Sequence, residues 1–250
     1  MVVDSMTYEE IGNELITDWY KHGKKMLDFK LKDNSIRRAA MKNGITQVPQ
    51  FFKDIEISTK AGNDFVVVPY SNGKKMFVKQ GLQIILFSMF YYNGRLMVGR
   101  LMNGCTFVAL YEIHLFKRYC ERYLKQECEI TKNFVIKFFK KNLFIHDDTL
   151  NSSKRDEYDF ARIRDGIMLG VIISPIIVLY KTFITASMAK GNQWDIMEKL
   201  TCRGEVRCHE LTGRNIKYSS HEGNNMDGPK HPHVGLNKVA GIRTKQFGLK

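Results

Sequence analysis

Two Asn-Gly dipeptides, Asn93-Gly94 and Asn103-Gly104, constrain the fold of this chain more than any other feature. Asn-Gly supplies the consecutive left-handed residues that a tight hairpin turn needs. Between the two turns Arg95–Leu101 reads as a strand, and after the second Cys105–Tyr111 reads as another. Leu82–Tyr92 is strongly apolar and fits either a buried helix or a strand. The spacing predicts an antiparallel meander over residues 82–111. The period then changes to that of a helix, so the meander runs directly into one continuous helix over residues 113–127.

The flanking segments build outward from this unit. Thr7 and Glu10 form a capping box, and Ile11, Leu15, Ile16, Trp19 and Tyr20 recur at helical spacing. A short basic helix is expected over Asn34–Lys42, stopped by Gly44. The β-branched run Asp64–Pro69 predicts a strand, with Ser71-Asn72-Gly73 turning the chain before Lys75–Lys79 to make a short hairpin. Thr131 caps an amphipathic helix ending near Asn142, whose Phe134, Phe138 and Phe139 belong to the core. Asp147–Tyr158 is polar and turn-rich and reads as an exposed loop. Phe160–Arg164, Gly166–Ile173 and Ile176–Thr185 read as strands of the same sheet, and Gln193–Leu200 as a short helix.

From Thr201 onward there are seven glycines, and nine Lys/Arg stand against four Asp/Glu. Such a stretch has too few large apolar residues for a core and is expected to be a poorly structured basic tail. Its Cys202, Cys208, His209, His221, His231 and His233 are metal-binding types, but no CxxC pair or familiar zinc spacing is present, so no metal is assigned. The expected fold is therefore α+β. Residues 1–80 form an N-terminal helical region with a hairpin, 81–200 an antiparallel sheet with packed helices, and 201–250 the tail.

A net charge of +13 points to a polyanionic partner, nucleic acid before an anionic membrane surface. Five scattered cysteines read as reduced thiols, and MVVDSMTYEE is no signal peptide. The longest apolar stretch, Gly166–Tyr180, is short for a membrane span and carries Pro175. The expectation is a cytoplasmic protein with no membrane partner. Walker, HExxH, GxSxG and Rossmann motifs are all missing, so NTPase, zinc-protease, serine-hydrolase and dehydrogenase classes have no support.

The helix after the meander carries the candidate chemistry. His114, Arg118 and Arg122 recur at i, i+4 and i+8, and at about 100° per residue they share one face. Imidazole moves protons near neutral pH, and guanidiniums clamp phosphates with forked donors. The same spacing also suits an ordinary solvated basic face.

His114-x3-Arg118-x3-Arg122, Asp165-Gly166-Ile167-Met168-Leu169-Gly170, and Lys181-Thr182-Phe183-Ile184-Thr185 followed by Gln193 together resemble a group of bacterial proteins related to the barnase–EndoU–colicin–RelE ribonuclease toxins. The likeness covers about residues 86–198. It implies a small antiparallel sheet with helices on one side, and RNA cleavage by the 2′-hydroxyl without metal or other cofactor. His114 would be base or acid, Arg118 and Arg122 would hold the scissile phosphate, and Thr182 would donate to a phosphate oxygen. Lys181, Tyr180, Tyr119 and Gln193 would assist at the substrate, the first three as candidates for the second proton transfer. Such an enzyme would be toxin-like, acting in bacterial defence or growth arrest, with a neutralising partner protein. The alternatives are a non-catalytic nucleic-acid-binding protein and an interaction subunit of an intracellular assembly.

Overall fold

The first turn sets the register of the sheet. In the computed structural model, which describes residues 1–32, 35–42, 49–143, 146–147 (backbone only) and 158–189, Asn93 and Gly94 have φ of 49° and 69°. These are the paired positive angles of a type I′ hairpin. The expectations for Gly44, Gln193–Leu200 and the tail fall outside the described residues, as does most of the loop after Asp147.

Among the described residues ten strands follow in chain order: β1 Gln50–Phe51, β2 Ile55–Ser58, β3 Asp64–Ser71, β4 Gln83–Tyr92, β5 Arg95–Met102, β6 Phe107–Glu112, β7 His146–Asp147, β8 Tyr158–Ile163, β9 Gly166–Ser174 and β10 Ile177–Ile184. They form one sheet in the order β1-β3-β4-β5-β6-β10-β9-β8-β7, with β2 also on β3. Every pairing is antiparallel except β6 with β10, which run parallel from Val108↔Ile177 to Tyr111↔Tyr180. Leu82–Tyr92 thus resolves as a strand, and β3 pairs with β4 across residue 80, so the sheet is continuous through the expected boundary there.

The helices are α1 Tyr8–Asp18, α2 Lys24–Lys30, α3 Ser35–Lys42, α4 Lys74–Gln80, α5 Ile113–Tyr119 and α6 Lys132–Lys141. Thr7 and Glu10 close the expected capping box on α1, and Thr131 Oγ1 accepts from the Phe134 amide at the start of α6. A wider π-type turn, Trp19–Gly23, joins α1 to α2.

Helices cover both faces, where the family likeness implied one. On the first face Leu115, Phe116 and Tyr119 of α5 and Val135, Phe138 and Phe139 of α6 pack on Phe87, Ala109, Tyr111, Val178 and Tyr180. On the second, Ile11 and Leu15 of α1, with Trp19, pack on Phe65, Val67, Leu86, Val108, Leu110, Ile177 and Leu179. The reason lies in β6 and β10, whose successive residues are apolar on both sides and need two covers. Gly99 makes the second cover possible: a Cβ there would lie 2.5 Å from Leu15 Cδ1.

Three local expectations need correction. Lys75–Lys79 is not a hairpin strand but part of α4, because Lys, Met and Gln favour helix and Gly81 (φ 74°) stops it by donating to Phe77 O at 2.8 Å. The N-terminal hairpin is instead β2–β3, around Thr59–Asn63. The second Asn-Gly lies in a longer connection in which Asn103, Gly104 and Cys105 all have positive φ, which delays the next strand to Phe107. The helix expected to reach residue 127 ends at Leu124, after a π-type turn over Cys120–Leu124, because Lys125 is left-handed (φ 58°).

Candidate functional site

The site arises from a mismatch between β6 and β10. Their parallel pairing stops at Tyr111↔Tyr180, since the chain leaves the sheet after Glu112 and becomes α5. β10 continues through Lys181–Ile184, paired among the described residues only with β9. A strand edge left this way exposes carbonyls that need donors. α5 packs on β10, and Arg122 Nη1 donates to Phe183 O at 2.5 Å.

The cationic row lies along this junction. His114 is exposed, and Arg118 and Arg122 are half-buried. Arg118 Nε donates to His114 Nε2 at 3.2 Å, and its Nη1 meets Glu121 Oε2 at 2.6 Å. Guanidinium only donates, so His114 Nε2 is the acceptor in this contact. The Glu121 carboxylate is 61% exposed, so the pair is screened and offers a guanidinium that a phosphate can compete for. Glu121 stands three residues after Arg118, a spacing legible in the sequence.

Thr182 does not join this row. Counting alternate residues from Tyr180, whose ring faces α5, would put Thr182 on the same side. A bulge at Lys181 breaks that count: Tyr180 pairs with Gly170, but Thr182 pairs with Leu169. Phe183 therefore takes the inward position, with its ring 5.2 Å from that of Tyr119, and Thr182 faces the opposite side with Leu169. The sheet separates its hydroxyl from His114, which corrects the expectation that they share a cleft.

Tyr119 and Tyr180 are corrected as well. Tyr119 is 2% exposed and donates to Asp165 Oδ2 at 2.6 Å; burial first, and then the carboxylate, push its phenol far above the usual range. Asn142 Nδ2 and Lys141 Nζ also reach Asp165 Oδ2, at 3.3 and 3.2 Å. This hub was not expected from sequence; it ties α5 and α6 to the β8–β9 turn. Tyr180 is wholly buried and donates to Asp159 Oδ2 at 2.6 Å. Both phenols are core groups, since aromatic bodies on strand and helix faces that meet in the core carry their hydroxyls inward. Lys181 stays exposed in the bulge, and Gln193 lies outside the described residues.

Among the described residues no three His, Cys, Asp or Glu side chains gather closely enough to hold a metal ion. No helix among them is long and apolar enough to cross a membrane. Comparison with protein-family models, with characterised proteins and with solved structures finds no match to this chain.

Proposed function

We propose that this protein binds RNA through the α5 face, with Arg118 and Arg122 holding backbone phosphates and His114 at the end of the row. The observation that supports this most is the cationic row itself: His114 and Arg118 on α5 and Arg122 in the π-type turn that continues it, along the β10 edge, in a chain of net charge +13. Phosphate contacts supply sequence-independent nucleic-acid affinity and need no pocket. The test is fluorescence anisotropy with a labelled single-stranded RNA across a salt series. Affinity that falls steeply with salt, and falls further in Arg118→Ala, supports the reading; salt-independent or undetectable binding overturns it.

Metal-independent endoribonuclease activity is a second reading, favoured by an imidazole, His114, within hydrogen-bond reach of the Arg118 guanidinium. In that reading His114 is the base toward the 2′-hydroxyl, and Arg118 and Arg122 stabilise the charge on phosphorus. Thr182, Tyr119 and Tyr180 have no place in it, so a proton donor for the leaving 5′-oxygen must come from Lys181 or the substrate's own solvent. Toxin-like growth arrest and a neutralising partner belong to this reading alone. Expression in a bacterial host separates the two. Growth arrest with RNA fragmentation that His114→Ala abolishes supports cleavage, whereas intact RNA with affinity retained in His114→Ala leaves binding alone.

A further inference from the structure

We propose that α3 and α4 form a second contact for a nucleic-acid backbone, distinct from the α5 face. The proposal rests on the reading that the chain binds nucleic acid, but on different residues. α3 is Ser-Ile-Arg-Arg-Ala-Ala-Met-Lys and α4 is Lys-Lys-Met-Phe-Val-Lys-Gln; neither contains an acidic residue. Their cations repeat the same i, i+1, i+5 spacing, as Arg37, Arg38 and Lys42 and as Lys74, Lys75 and Lys79. Within each helix the last two stand at i and i+4, on one face and about 6 Å apart along the axis.

The two helices touch each other, so six like charges stand on neighbouring helices. All six are exposed, and none has an ionic partner among the described residues. Packing does not account for the composition of α4, since none of its residues is buried. Unpaired cations on neighbouring helices repel and weaken the fold locally unless an anion lies across them. An anionic lipid surface is the competing occupant, but it would require a continuous apolar stripe. Here only Val78 (67% exposed) and Met41 (37%) protrude, too little to enter a bilayer. Two arginines beside four lysines suit phosphates, which accept guanidinium forks.

Topology separates this surface from the first. α4 follows the end of β3 and precedes β4, at the end of the sheet opposite that where β6 passes into α5. The two surfaces therefore meet different stretches of a bound strand.

The test compares three full-length proteins on one fluorescein-labelled single-stranded RNA across a salt series: wild type, Arg38→Gln/Lys42→Gln/Lys75→Gln/Lys79→Gln, and Arg118→Gln/Arg122→Gln. Each released phosphate contact on a single strand lowers the slope of log affinity against log salt by about 0.7, so losing four contacts lowers it by about 3. A charge-keeping variant, Arg38→Lys/Lys42→Arg/Lys75→Arg/Lys79→Arg, is expected to retain the wild-type slope, which separates lost charge from lost fold. A wild-type slope in the quadruple Gln variant overturns the proposal while leaving the α5 reading standing. A reduced slope there with an unchanged α5 variant upholds it and removes the α5 reading. Loss of binding to phosphatidylserine vesicles with no change on RNA also overturns it, assigning the surface to lipid.

Discussion

The contact between Leu15 and Gly99 offers the most quantitative check on the architecture that presents both surfaces. Leu15 is fully buried on α1, and its Cδ1 lies 2.5 Å from the point where a side chain on Gly99 would begin. Carbon atoms in contact prefer about 3.5–4.0 Å, so Gly99→Ala must displace the helix or the leucine by about 1 Å. Phe90 Cε1 at 3.4 Å and Leu110 Cδ2 at 3.5 Å close the remaining directions. Overpacking of this kind costs about 1–3 kcal/mol, and Leu15→Ala alone costs about 2–5 kcal/mol through lost burial and a residual cavity. In the double variant the new methyl enters the space the leucine leaves, so its destabilisation is expected to fall short of the sum by about 1–3 kcal/mol. Urea unfolding followed by tryptophan fluorescence measures all four corners of the cycle, since Trp19 is buried beside this contact and reports its loss. Additivity to within about 0.5 kcal/mol would mean that α1 does not dock on β5 at this point.

Thr182→Val is expected to leave RNA affinity and any RNA cleavage unchanged, because its side chain faces the sheet surface opposite α5; a loss above about tenfold in either assay would refute the bulge at Lys181. Glu121→Gln releases Arg118 from its ion pair and is expected to tighten RNA binding, seen as a lower anisotropy midpoint at low salt, with stability changed by less than about 1 kcal/mol. Asp18 is buried; burial alone would raise its pKa, but hydrogen bonds from Thr59, Asn63 and His22 outweigh this and hold the carboxyl below its usual range. A depressed folded pKa stabilises the protein above the unfolded value, near pH 4, and that contribution is lost as pH falls through the folded value. The stability difference between wild type and Asp18→Asn is therefore constant at neutral pH and shrinks below about pH 4, as chemical denaturation at each pH would show.

What the sequence disclosed was local chemistry, and what it concealed was long-range pairing. Asn93-Gly94, the Thr7–Glu10 box and the Thr131 cap act within four residues, and each dictates its own geometry without reference to the rest of the chain. The parallel pairing of β6 with β10 joins segments nearly seventy residues apart and leaves no local mark. Its consequence, an open β10 edge for α5 to cover, was equally hidden, although the cationic row that covers it was legible from spacing alone. Thr182 shows the difference most sharply. Strand alternation is a reliable rule, and applied from Tyr180 it puts Thr182 beside His114; one extra residue at Lys181 reverses every side chain beyond it. Nothing in Tyr-Lys-Thr-Phe-Ile announces the bulge. It is selected by the fit of Phe183 against Tyr119, a large ring filling the space under α5 that a threonine would leave empty. The same packing that removes a hydroxyl from the candidate site thus fixes α5 against the sheet and sets where its arginines point.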